Sequence, residues 1–125
     1  MLEWIEIILR WILGMQFLFW GLNGFFRWKS IPPSGDFVGR FGDVCFESKF
    51  ILPVVKIFEI FFGAALLTGH GTLASLIFLG PLVFVISGLH LFHNPRWWEV
   101  IVPITLPYLA IAGLNWQKVL AIFQI

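Results

Sequence analysis

The sequence predicts an all-α integral membrane protein, an antiparallel bundle of four transmembrane helices forming a single domain over residues 1–125, and three observations carry that prediction. The chain is 59% hydrophobic and 12% charged, with a mean hydropathy of +0.92, whereas soluble domains run at about 45–50% apolar and about 25% charged. Its 125 residues leave room for four spans at most, at about 20 residues each plus connections. The stretches Trp11 to Phe26 and Ile60 to Pro95 contain no Asp, Glu, Lys or Arg.

The first span is predicted over about 5–26, beginning at Ile5 and carrying Arg10 one to two turns inside. The start Met1-Leu2-Glu3-Trp4, with Glu6, lacks the basic region and small-residue cleavage site of a secretory signal, so this span is expected to be retained. Residues 27–49 change character. Arg27, Lys29, Asp36, Arg40, Asp43, Glu47 and Lys49 are spread around Pro32-Pro33-Ser34-Gly35, a run that ends a helix and reads as an extramembrane loop. Its Phe37, Phe41, Phe46 and Phe50 suggest that it lies on the membrane surface or caps the bundle.

The charge-free run from Ile60 to Pro95 covers 36 residues, too many for one span at about 1.5 Å per residue. Thr68-Gly69-His70-Gly71-Thr72 supplies the break. Spans two and three are therefore about 50–68 and 72–92. Asn94 to Glu99 forms the next turn, with Trp97 and Trp98 suited to the headgroup interface. The fourth helix is predicted over about 100–123, bent by Pro103 and Pro107. Five basic residues fall in the loops 27–49 and 93–99 (Arg27, Lys29, Arg40, Lys49, Arg96), against Arg10 and Lys118 outside them. On the positive-inside rule both termini face away from the cytoplasm.

Several function classes drop out. A net charge of +1 gives no basic field for nucleic acid. A single cysteine, Cys45, allows neither an intramolecular disulfide nor a dithiol shuttle. His70, His90 and His93 are too dispersed to make a metal constellation by spacing, so no metal is expected.

What remains are the polar residues inside apolar helices. Lys56 and Glu59 lie three apart on one face of the second span. Twelve Leu, Ile, Phe and Val residues between 50 and 68 favour insertion by roughly −4 to −7 kcal/mol, and two central charges oppose it by roughly 5 to 7. The charges must therefore turn inward, either as a buried pair that fixes register or as a polar site in the bundle core. Arg10, Gly14, Phe17, Gly21 and Gly24 form one face of the first helix. Gly14 and Gly21 read as packing positions, and Arg10 either partners Glu59 or snorkels to the headgroups. Gln16 and Asn23 read as bonds to neighbouring helices. In the third span Pro81 frees the carbonyl of residue 77. His90, one turn from Ser87, reads either as an interfacial hydrogen-bonder or as a proton or quinone ligand.

Val55-Lys56-Ile57-Phe58-Glu59-Ile60-Phe61-Phe62-Gly63-Ala64-Ala65-Leu66-Leu67 resembles the second-helix signature of the DoxX family, a glutamate followed by glycine and a leucine-rich end. Leu79-Gly80-Pro81 with Leu89-His90-Leu91-Phe92 resembles the third helix of its DoxX-like branch. Arg10, Leu13-Gly14, Phe17-Leu18 and Gly21-Leu22-Asn23-Gly24 are similar to its first. Glu59 and Gly63 match the family positions best, and Lys56 and His90 match the branch, while the charged loop with Cys45 departs from the pattern. The resemblance implies a small multi-pass protein of the bacterial inner membrane, of a family linked to quinone-coupled oxidation of sulfur compounds and to redox complexes. The expectation is thus a non-autonomous membrane subunit of a quinone- or thiol/sulfur-linked redox complex. No haem ligand pair, flavin fingerprint or dithiol supplies an electron carrier, so a partner protein or a quinone would hold the electrons. Its candidate polar site is Arg10, Lys56, Glu59 and His90, with Gly14, Gly21 and Gly63 as packing residues and quinone as the candidate ligand. No catalytic residue is assigned. The bilayer, a redox partner and a second copy of the chain are the candidate partners. The alternatives are a membrane anchor or assembly factor for a soluble partner, and a small proton-coupled transporter.

Overall fold

The computed structural model describes residues 2–27, 36–93, 95 and 97–124. The elements are α1 (Leu2–Phe26), α2 (Asp36–Glu47), α3 (Ile51–Thr68), α4 (Thr72–Phe92), a π-helical segment (Trp97–Thr105), α5 (Leu106–Leu114) and α6 (Trp116–Ile122). The fold is all-α, with no strand among the described residues. Four helical stretches are long and apolar enough to cross a membrane: α1, α3, α4 and the continuous run Trp97–Leu114. The turn expected at 32–35, with Lys29, Asn94 and Arg96, lies outside the described residues.

The surface differs from that of a water-soluble domain: large apolar side chains are exposed along the helices, while several polar ones are enclosed. Glu59, Asn23, Ser75, Ser87 and Asn115 are buried, while Phe61 and Phe84 are 65% and 80% exposed. Apolar side chains turned outward, with the polar ones enclosed beside an apolar core, are what a lipid solvent selects. The core proper is a column of Leu13, Phe17, Leu66, Leu76, Leu79, Val83, Ile104 and Ile111, drawn from all four spans.

Helices α1 and α3 make the closest approach. A Cβ added at Gly14 would sit 2.8 Å from the Gly63 carbonyl oxygen, and one at Gly63 would sit 2.8 Å from the Leu18 amide nitrogen. At Gly21 it would meet Ile60 and the Lys56 carbonyl, and at Gly24 the stem of Lys56. The contacts run in opposite order along the two helices, which makes the pair antiparallel.

The α3–α4 hairpin turns on Gly69 and Gly71, both at φ +79°, where a side chain would be strained. Gly69 closes α3 through its N–H to the Ala65 carbonyl.

Two parts of the chain depart from the sequence reading. Within 27–49, residues 36–47 are helical rather than loop. Phe37, Phe41 and Val44, at i, i+4 and i+7, give this helix an exposed apolar edge, with Arg40, Asp43 and Glu47 on another side. Phe37 stacks on His93 with centroids 4.0 Å apart, tying α2 to the end of α4. The expected helix over 100–123 starts earlier, at Trp97, in a π register that contains Pro103, and it breaks at Asn115. A wider register accommodates a ring that has no N–H to donate. Pro107 likewise offers nothing to the carbonyl four residues back. That carbonyl, Pro103's, accepts instead from Gln16 Nε2 of α1 at 2.6 Å.

Other interhelical polar contacts follow the same rule. Ser75 Oγ donates to backbone carbonyls of Gly71 and Phe62, and Ser87 and Thr105 share a hydroxyl hydrogen bond. The Tyr108 hydroxyl donates to the Leu76 carbonyl, next to the one that Pro81 deprives of its α-helical donor. Gly80 leaves room for it, since a Cβ there would lie 2.9 Å from the Tyr108 oxygen.

Substituting Gly63 by Val should destabilise the protein by about 1–3 kcal/mol, because backbone of α1 rather than a flexible side chain blocks the added methyls. Gly88→Ala, where a Cβ meets nothing within 4 Å, should be neutral or stabilising by up to about 1 kcal/mol. Unfolding both variants in micelles and finding them equally stable would refute the close glycine contact. Gln16→Leu should cost about 1–3 kcal/mol by orphaning the Pro103 carbonyl, readable in the same assay.

Candidate functional site

The four residues singled out from the sequence do not form one cluster. Lys56 and Glu59 meet, with Nζ 3.4 Å from Oε2. The contact follows from helical spacing, since positions i and i+3 share a face. Glu59 is nearly fully enclosed and the Lys56 side chain is 15% exposed. Lys56 reaches this position by laying its methylene stem across Gly24 of α1, so its charge is carried past apolar surface to a partner.

Arg10 is elsewhere. Its Nη1 donates to the Leu66 carbonyl at 3.0 Å, one of the last carbonyls of α3, where a cation also opposes the negative end of the helix dipole. Leu66 lies seven residues beyond Glu59, about 10 Å along the helix. The expected Arg10–Glu59 partnership is therefore corrected: Arg10 caps α3 at the opposite end of the bundle. Gly69 is needed there twice, for its φ and because a Cβ would fall 2.6 Å from Arg10 Nη1. Glu6 Oε1 stands 4.0 Å from Arg10 Nε and 3.4 Å from Asn115 Nδ2. Asn115 Nδ2 also donates to the Ile111 carbonyl where α5 ends. This cluster ties the starts and ends of three helices, and sequence reasoning missed it. The i, i+4 spacing of Glu6 and Arg10 was its only local signal, and nothing in the sequence marks Asn115.

His90 is half-buried near the end of α4, beyond the buried Ser87. It does not line the cavity described next.

That cavity lies between the end of α1, the end of α2 and the start of α3, with a volume of about 540 Å³. Gly24, Phe25, Phe46, Leu52 and Pro53 form apolar walls, and Glu47, Lys49 and Lys56 supply the charges. Lys56 marks the inner end. Lys49, exposed in the turn between α2 and α3 and seven residues before Lys56, marks the outer rim. The volume falls within the roughly 300–1,000 Å³ of small-molecule sites. Chemically the arrangement offers an ammonium donor with a buried carboxylate beside it, reached along an apolar path. Among the described residues no group of three His, Cys, Asp or Glu side chains is placed to hold a metal.

Comparison of the chain with family models, with curated proteins and with solved structures finds no match.

Lys56→Met should destabilise the protein by about 3–5 kcal/mol, because it leaves the Glu59 carboxylate enclosed without its partner. The double variant Lys56→Met/Glu59→Leu should recover most of that loss. A single variant as stable as the parent would show that the two charges do not depend on each other.

Proposed function

We propose that this protein is a non-autonomous subunit of a quinone- or thiol/sulfur-linked redox complex, a DoxX-like multi-pass protein of the bacterial inner membrane. One observation carries the reading: Lys56, paired with Glu59 inside an apolar helix, also lines a cavity. A pair serving only to fix register needs no such opening, whereas a binding site needs both the donor and the access. Lys56 Nζ keeps protons beyond the one directed at Glu59 and can donate to a carbonyl oxygen. Phe25, Leu52 and Pro53 offer apolar surface to a ring. A quinone is the ligand that the resemblance in the first three spans, α1, α3 and α4, points to, and it would reach the cavity from the hydrocarbon. The chain's own part is to bind and orient that head, while a partner protein exchanges electrons with it.

The test is to purify the protein with native lipids and quantify co-purifying quinone by mass spectrometry. The parent should retain quinone. Glu59→Gln, which keeps the shape of the side chain and removes the charge that holds Lys56 in place, should retain at least about tenfold less, the equivalent of about 1.4 kcal/mol. Equal retention in both, or none in either, would refute the quinone site and leave the pair as a structural bond between helices.

A further inference from the structure

The outer rim of the same cavity carries charges that the quinone reading does not use. Glu47 ends α2, and Lys49 stands in the turn that leads to α3. Both line the cavity, both are exposed, and among the described residues neither has an ion-pair partner. The turn itself is fixed. Ser48 Oγ donates to the Cys45 carbonyl and accepts from the N–H groups of Phe50 and Ile51, and Lys49 sits at φ +67°. The rim thus presents one carboxylate and one ammonium, two residues apart, over a wall of Phe25, Phe46 and Leu52.

Net charge at the rim is zero, so a simple anion gains from Lys49 what it loses to Glu47, and a simple cation does the reverse. A zwitterion of matching spacing gains from both. Helix ends add the same pattern: the end of α2 favours positive charge and the start of α3 favours negative charge, although neither end alone would hold a ligand. The apolar wall directly beneath requires that the zwitterion carry a hydrocarbon tail. Because the rim lies at the end of helices suited to crossing a bilayer, such a molecule is at hand in the membrane itself.

We infer that the cavity rim binds the headgroup of an ethanolamine phospholipid, with Lys49 on the phosphate, Glu47 on the primary ammonium, and one acyl chain leaving over Phe46, the apolar wall residue that the quinone reading does not use. A primary ammonium is specified over a quaternary one because only the former donates hydrogen bonds to the carboxylate. The inference goes beyond the quinone reading and does not depend on it, since the quinone head is assigned to Lys56 at the inner end.

The experiment uses the full chain extracted in mild detergent and stripped of lipid in steps, then offered ethanolamine, choline and glycerol phospholipids of identical acyl chains in equal amounts. Bound lipid is counted by mass spectrometry. The expected result is one ethanolamine lipid per chain, preferred about tenfold over its choline counterpart, the value of one charge-assisted hydrogen bond. Glu47→Gln should erase that preference, and Lys49→Gln should lower retention of both lipids about tenfold. Both positions are exposed, so circular dichroism should show each variant folded. Equal retention of ethanolamine and choline lipids by the parent would overturn the inference, as would preference for the glycerol lipid or displacement by excess inorganic phosphate. Quinone is measured in the same samples. Loss of the lipid preference with quinone retained overturns this inference alone, and loss of quinone with the preference retained overturns the functional reading alone.

Discussion

In a lipid solvent a polar group must find its partner inside the protein, and the arrangement of this bundle follows from that constraint. Pro107 deprives one carbonyl of its donor, and Gln16 crosses from α1 to supply it. Near Pro81, where α4 loses a bond of its own, the Tyr108 hydroxyl reaches the Leu76 carbonyl. The end of α3 leaves carbonyls open, and Arg10 takes one of them. These bonds connect different helices, so the points where the backbone would be weakest are also the points where the bundle is cross-linked. At Pro107 a neighbouring span completes what the helix breaker leaves open, and near Pro81 one bonds the adjacent carbonyl.

Close packing of α1 on α3 makes a second contribution, and it bears directly on the site. The line of Gly14, Gly21 and Gly24 brings the two backbones near enough for Gly63 to touch α1 main chain. Association of helices in lipid gains little from hydrophobic burial and depends instead on such fit. Gly24 also removes the side chain that would block the Lys56 stem. The position of the ammonium beside Glu59 is therefore a product of the glycine stripe as much as of helical spacing.

Around the cavity the two ends of the molecule differ in kind. At the Arg10 end Arg10 bonds the Leu66 carbonyl and Glu6 bonds Asn115, while Arg10 Nε is enclosed 4.0 Å from Glu6 with no hydrogen-bond partner among the described residues, and these contacts hold helix termini together. At the α2 end, Glu47 and Lys49 stand apart over apolar walls, while Lys56 is held by Glu59 but keeps donor capacity.

The sequence by itself determined the solvent, the number of spans and much of their extent, because hydropathy and charge are additive along a chain. Helices over 51–68 and 72–92 were legible from two glycines in a charge-free run, and the Lys56–Glu59 contact from a three-residue spacing. The helix at 36–47 was not, since its apolar residues sit among charges and prolines, and a helix of that length gains its stability from what it packs against. Nor was the π segment, because proline announces a break but not which register or which neighbour repairs it. The placement of Arg10 was decided by the tertiary structure alone. A guanidinium on a long stem has partners at either end of a bundle within the sequence's view, and only the antiparallel register of α1 on α3 sets it beside Leu66 rather than Glu59. The cavity is tertiary for the same reason: its walls come from three helices, and the gap between helices has no representation in the order of residues along one.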